Sequence, residues 1–317
     1  MPEGLRSSLA GVSLHAVPST LSIRKLLSRS AMRLALLAFA AVALLSASSA
    51  WATNFTVTDT SLNPTDAGSL LYALGHLASG SAATTNTITI TATGTITLTS
   101  PLPPIANGVT ITGPGADKLT ISGAKSYGVF LIQGADVAIS GLSIVSGPGY
   151  FIYGNHYGGG VAQFGGVVTI NACVFSGNEA DFGGAIYDQG TMTVSNSAFQ
   201  GNTATTSNGG AIYNFNSTLI ITNSTFYDNT SLQSGGGAIY NYGTTSVTNS
   251  TFSGNSAPYG NGGAISDYGG IQLTLNNNIF TGNTSGGGGA GIYNAFDTIN
   301  TSDNIYYNNL TGTSEDD

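Results

Sequence analysis

Positive charge is nearly missing from this sequence. Of 317 residues only 7 are Lys or Arg, and Arg6, Arg24, Lys25, Arg29 and Arg33 all fall within the first 33. Past residue 52 only Lys118 and Lys125 remain against 14 acidic residues, a formal charge of 2 minus 14, or −12. Nucleic acid and anionic membranes are bound through Lys and Arg that neutralise phosphate, so this composition excludes both as partners. Cysteine is equally scarce. With Cys173 alone no internal disulfide can form, and an exported chain must rely on packing and backbone hydrogen bonds. A single thiol of this kind reads as an inert core residue. Only 7% of residues are charged while 45 are Gly, a balance that opposes an ordinary helix-rich domain.

The apolar run Leu34 to Leu45 follows the basic cluster and precedes Ala50-Trp51-Ala52. A charged segment, an apolar core and a small-residue site in that order read as a secretory signal peptide, with cleavage expected after Ala52. The run is shorter than the roughly 18 residues a membrane span needs, so no transmembrane span is expected in the mature chain. Met1 and Met32 are both usable starts. Residues 1–52 are therefore read as a leader and 53–317 as one exported domain, extracellular or on the outer membrane surface.

What is abundant is repetition. Phe-x-x-Asn recurs at Phe175/Asn178, Phe199/Asn202, Phe226/Asn229, Phe252/Asn255 and Phe280/Asn283, with a weaker copy at Ile305/Asn308. Successive Phe positions are 24, 27, 26 and 28 residues apart. Between them lies Gly-Gly-Ala-Ile, at Gly183 to Ile186, Gly209 to Ile212, Gly236 to Ile239 and Gly262 to Ile265, with variants at Gly158 to Val161 and Gly289 to Ile292. Two interleaved motifs with one period of about 26 residues indicate a solenoid. The pairs Val168/Ile170, Met192/Val194, Leu219/Ile221, Thr245/Val247 and Leu273/Leu275 alternate as a strand with one buried face does. Parallel crossovers are strongly right-handed. The fold class expected is all-β, a right-handed parallel β-helix with coils of about 26 residues, regular over 158–308 and irregular over 53–157.

The Asn residues three before each Phe, Asn196, Asn223, Asn249 and Asn277, are expected to face inward and to bond their neighbours in the stack. The paired glycines are expected to supply positive φ or close backbone approach. Upstream, Thr87 to Thr91, Thr95 to Thr99, Val109 to Thr112, Leu119 to Ser122 and Val137 to Ile144 read as earlier strands. Ser69 to Leu77 carries apolar residues at helical spacing, with Asp66 placed to start it, and is expected to cap the N-terminal end of the solenoid.

The alternating Gly-Gly-Ala-Ile and Phe-x-x-Asn motifs, over Gly158 to Asn308, resemble the repeats of the chlamydial-type polymorphic outer membrane protein family. Phe55 to Ser122, with Ser69-Leu70-Leu71-Tyr72-Ala73, Gly94-Thr95-Ile96-Thr97-Leu98 and Gly113-Pro114-Gly115-Ala116, is similar to the start of secreted bacterial β-helix proteins. The first resemblance implies a surface-exposed β-helix with an adhesin-like role, binding glycans or proteins of a host or neighbouring cell.

The alternative is a polysaccharide lyase or glycoside hydrolase of β-helix type. Such chemistry calls for a basic residue or a close carboxylate pair. The mature region has no Arg, and its remaining histidines, His76 and His156, lie far apart in sequence. Asp188 and Asp267 share a repeat column but stand three coils apart, roughly 14 Å at about 4.8 Å per coil. Asp228 occupies a column of its own. No catalytic residue, metal ligand or cofactor is assigned, and weak surface calcium is the one metal contact the acidic composition leaves open. Tyr187, Tyr213, Tyr240 and Tyr293 each follow the inward Ile of the glycine motif, interrupted by Ser266. They are expected to form an exposed aromatic stripe, either a ligand-binding surface or a stack that only stabilises the coils.

Overall fold

The computed structural model describes residues 52–78, 85–269, 271–295, 299–311 and 314–315. The chain divides into two units, Met1–Ser49 and Ala50–Asp317. The first lies outside the described residues, as does the apolar core of the expected leader. No described helix is long and apolar enough to cross a membrane.

Residues of the second unit form stacked coils with three sheets running through them, of 13, 9 and 7 described strands, parallel except for the last pair of the third. Each regular coil holds a long strand such as Ile212–Thr222, a three-residue strand centred on Phe, here Thr225–Tyr227, and a two-residue strand, Thr230–Ser231. Corresponding positions pair across coils: Met192 with Leu219, Leu219 with Thr245, Thr245 with Leu273. All the inward pairs read from the alternation are fully buried. The Phe rings stack face on face through the core, Phe175 to Phe199 at 4.9 Å, Phe199 to Phe226 at 4.6 Å, Phe226 to Phe252 at 4.8 Å and Phe252 to Phe280 at 4.9 Å. That spacing is the rise of one coil, so the period of the sequence is the geometry of the stack.

The weaker repeat copy is corrected by one residue. Tyr306, not Ile305, stacks on Phe280 at 5.1 Å, and Asn309, not Asn308, continues the Asn column. The aromatic ring has a partner in the previous coil, whereas Ile305 is exposed.

A second correction concerns which Asn faces inward. Asn196, Asn223, Asn249 and Asn277 adopt left-handed backbone, with φ of 50°, 51°, 52° and 55°, and their side chains are exposed. The buried ladder is the Asn of Phe-x-x-Asn. Each amide Nδ2 donates to the Oδ1 of the next coil, Asn202 to Asn229, Asn229 to Asn255 and Asn255 to Asn283, all at 2.9 Å. The same Oδ1 also accepts the preceding coil's Asn backbone N–H, as in Asn202 to Asn229 at 3.1 Å. The residue after each exposed Asn turns inward instead, giving a column of Ser197, Ser224, Ser250 and Asn278, preceded by Cys173 after Ala172, in which each Ser or Asn side chain accepts the backbone N–H of the column residue one coil before. Cys173 thus occupies a serine position, and burial pushes its thiol up to about 11.

Both roles expected of the paired glycines are present. Gly209 has φ of 72°, and at Gly210 an added Cβ would stand 2.1 Å from the Gly237 carbonyl oxygen of the next coil.

The N-terminal coils are built from Asn86–Ile90, Gly94–Thr97, Val109–Thr112 and Leu119–Ser122. The segment read as one strand from Val137 to Ile144 is two, Val137–Ser140 and Ser143–Val145, bent at Gly141 with φ of 65°. The helix spans Leu70–Gly75 and is started by Ser69, whose hydroxyl accepts the Tyr72 N–H, while Asp66 instead holds the Gly68 N–H at 2.9 Å. Leu70, Ala73 and Leu74 join the core beside Val57 of the first strand.

Candidate functional site

The long strands place Ile, Tyr and a polar residue in succession, so Ile186 and Asp188 point into the coil and Tyr187 points out. In register, Tyr187, Tyr213, Tyr240, Ser266 and Tyr293 form one outer column. Tyr187 lies 5.7 Å from Tyr213, and Tyr213 lies 5.3 Å from Tyr240. Rings from other positions widen the column into a sheet of aromatics: Tyr157 meets Tyr187 at 4.8 Å, Phe182 meets Tyr213 at 5.5 Å, Phe215 meets Tyr242 at 5.8 Å and Tyr268 meets Tyr240 at 6.4 Å. The column is consequently not exposed along its length. Tyr187 and Tyr213 are only 5% and 8% exposed, shielded by neighbouring rings, while Tyr240 and Tyr293 are half-buried. Accessible ring surface is offered by Tyr242, Tyr268 and Tyr259. Burial, with added repulsion from neighbouring ionisable groups, pushes the hydroxyls of Tyr187, Tyr213 and Tyr240 upward, so these phenols stay neutral hydrogen-bonding groups rather than bases.

The stacking itself carries stability. Tyr213→Ser removes a ring with four aromatic neighbours and is expected to cost about 2 kcal/mol, read as a lower melting temperature.

Beneath the tyrosines runs a buried polar column, Gln163, Asp188, Asn214, Asn241 and Asp267. Asn214 Nδ2 donates to Asn241 Oδ1 at 2.7 Å, and Asn241 Nδ2 donates to Asp267 Oδ1 at 2.7 Å. Asp188 accepts from the Gly190 N–H and from the Ser217 hydroxyl, both at 3.0 Å, and that hydroxyl also contacts Asn214 Oδ1. The two carboxylates are therefore ends of an internal amide chain, closed from solvent. Burial pushes Asp188 up to about 6, against the opposing bonds from Gly190 and Ser217. Asp228 is exposed in a left-handed turn with φ of 54°.

The irregular section contains a feature that the repeat does not encode. Tyr150–Ile152 and Asn155–Tyr157 form an antiparallel hairpin, turning at Tyr153 and Gly154 with φ of 50° and 87°. Two successive positive φ values match the tight hairpin turns whose twist suits the strands. Phe151 and Tyr153 stand out from it, 68% and 97% exposed. Asp181 of the next coil anchors the hairpin, accepting the His156 backbone N–H at 2.7 Å, contacting His156 Nδ1 at 3.2 Å, and accepting the hydroxyls of Thr205 at 3.0 Å and Thr206 at 2.6 Å. Burial favours the neutral acid, but the bonds from Thr206, the His156 backbone, Thr205 and the His156 ring together hold Asp181 below the usual carboxylate range. This anchorage is present above the unfolded carboxyl's pKa near 4 and lost as pH falls through the lower folded value. Asp181→Ala is expected to speed amide exchange at His156 without moving the regular coils. His76 lies elsewhere, stacked at 3.9 Å on Tyr72 at the helix end. Among the described residues no group of three or more His, Cys, Asp or Glu is placed to hold a metal.

No curated protein matches this chain. Among solved structures, the A-module of mannuronan C-5 epimerase AlgE6 from Azotobacter vinelandii is similar at 11% identity, covering 70% of this chain and 91% of that one, with a TM-score of 0.30. Jun a 1, the major allergen from cedar pollen, is similar at 15% identity over 84% of this chain and 81% of its own, also with a TM-score of 0.30. A family model described as a right handed beta helix region matches residues 107–269, a stretch that contains most of the Phe stack, the Asn ladder and the outer tyrosines. With those parallel coils already in place, the match identifies the chain as a member of the right-handed β-helix family.

Proposed function

We propose that this protein is an exported, surface-displayed β-helix scaffold of adhesin-like kind that binds glycans or proteins through its outer aromatic face and performs no catalysis. The observation that carries this reading is the division of labour between the two sides of one strand. Tyr187, Tyr213 and Tyr240 face outward within a continuous sheet of rings, while Asp188 and Asp267 are sealed inside the coil. Aromatic surface supplies large contact area at low entropic cost. The leader-like first 52 residues and the resemblance to polymorphic outer membrane protein repeats agree with display outside the cell. Tyr242, Tyr259 and Tyr268, together with the half-buried Tyr240 and Tyr293, supply the accessible part of that face.

The rival, a polysaccharide lyase or glycoside hydrolase, needs an acid and a base open to substrate. Among the described residues His156 contacts Asp181 at 3.2 Å, and Asp181 is already committed to holding a hairpin. The test is binding of the purified protein to arrays of glycans and extracellular-matrix proteins, run beside a polysaccharide-cleavage panel with and without calcium. Saturable binding without cleavage is the expected result. New reducing or unsaturated chain ends that vanish in His156→Ala would replace this reading with the enzymatic one.

A further inference from the structure

The outer tyrosine column has one missing ring. Ser266 stands in register between Tyr240 and Tyr293, and carries no ring where a fourth consecutive one would lie. The adjoining loop takes up part of that space: Ser266 is 1% exposed, and Gly235 passes so near that an added Cβ would lie 2.8 Å from Ser266 Oγ. What remains is a cleft of about 330 Å³ lined by Tyr240, Tyr259 and Tyr268, with Gln233, Asn261 and Ser266 among its polar members. Asn261 is held in place because its Oδ1 accepts the Gly288 N–H at 2.6 Å, which leaves Nδ2 as its donor.

We propose that this cleft binds one uncharged pyranose ring of a glycan, an assignment that rests on the glycan arm of the reading above and gives it a place and a substrate class. Three features argue for it. The volume is at the small end of ligand pockets, which run from about 300 to 1,000 Å³, so a single sugar ring suits it better than an extended chain. Three tyrosines line the cleft beside amides and hydroxyls, the pairing a pyranose requires with its apolar C–H face and its polar rim. No charged side chain lines the cleft, and with a formal charge of −12 past residue 52, from 2 basic and 14 acidic residues, a uronate or sulfated sugar would meet repulsion and no cation.

The experiment titrates the protein with methyl glycosides of glucose, galactose and mannose, and with methyl glucuronide, by saturation-transfer NMR and calorimetry. Tyr259→Ala is the informative variant, because Tyr259 is 78% exposed and its loss spares the core; Tyr153→Ala on the hairpin is the control. At least one neutral glycoside is expected to saturate, with affinity about tenfold weaker in Tyr259→Ala at unchanged melting temperature, unaltered in Tyr153→Ala, and no competition from the glucuronide. Failure of every neutral glycoside to saturate, or an affinity indifferent to Tyr259→Ala, would overturn the assignment. The glycan and matrix arrays separate the two ideas: array binding that survives Tyr259→Ala removes the cleft and keeps the surface, whereas an array without binding removes the surface reading itself.

Discussion

Asn229→Ala is expected to lower stability by about 3–4 kcal/mol, seen as a urea midpoint that falls while the slope of the transition is kept. The Asn229 amide is fully buried and makes four bonds. Its Oδ1 accepts the Asn202 backbone N–H at 3.1 Å and the Asn202 side-chain amide at 2.9 Å, and its Nδ2 donates to the Phe199 carbonyl and to Asn255 Oδ1, both at 2.9 Å. Alanine removes all four and strands the Asn202 N–H in a dry interior, at about 1–3 kcal/mol for each orphaned group. The exposed column gives the contrast. Asn223→Gly keeps a left-handed position in a residue suited to it and loses two exposed contacts, its donation to Asn196 Oδ1 at 3.5 Å and the bond its Oδ1 accepts from Asn249 Nδ2 at 3.3 Å, so near-neutral stability is expected. If the two substitutions cost the same, the inward ladder has been assigned to the wrong asparagine.

Asp188→Asn should have the opposite sign, raising stability at pH 7 by about 3 kcal/mol. The folded carboxyl titrates near 6 against an ordinary value of 3.8, and each tenfold gain in proton affinity corresponds to about 1.4 kcal/mol. Because the folded state holds the proton more tightly, it binds more protons than the unfolded state between those two values, and stability declines as pH rises through that window. Burial is the first cause, and the asparagines at the same position in the next two coils show what the column accepts without charge. The substitution extends Asn214 and Asn241 by one coil. Denaturation from pH 3.5 to 7.5 should show the wild-type loss between about 4 and 6 and a flatter profile in the variant over that interval. A variant less stable than wild type at pH 7 would mean that the carboxylate is satisfied in its ionised form.

The repeat, the Phe stack, the inward strand pairs and the roles of the glycines are legible in the sequence because each coil solves the same packing problem with the same residue types. Like stacks on like at a fixed rise, so periodicity in the chain is periodicity in space. What is not legible depends on contacts between unlike positions. Tyr187 and Tyr213 read as exposed because alternation turns them away from the core, yet Tyr157, Phe182 and Phe215, which belong to no shared motif, cover them. Two adjacent asparagine-bearing turns look alike in sequence, and only backbone handedness decides which side chain enters the coil. In the last copy an apolar Ile305 beside Tyr306 invites a slip of one residue, resolved by the ring that stacks on Phe280. The hairpin at 150–157 lies outside the regular repeats, and its turn places Tyr153 at positive φ, a choice composition gives no reason to expect.

The candidate site shows the same division. The tyrosine column follows from the motif, while the cleft at Ser266 arises because one coil departs from it and because the 233–235 and 259–261 segments border the gap. A repeat protein can stabilise itself with its regular positions and bind with its exceptions.

On the proposed reading the outer rings, not the inner carboxylates, carry the function. The most direct measurement compares Asp188→Asn and Asp267→Asn with Tyr242→Ser and Tyr268→Ser, at exposed ring positions, in one binding and cleavage assay on the glycan and matrix arrays. Retained binding in both Asp variants and loss in the Tyr variants is the predicted result. Cleavage by wild type that disappears in either Asp variant would contradict it.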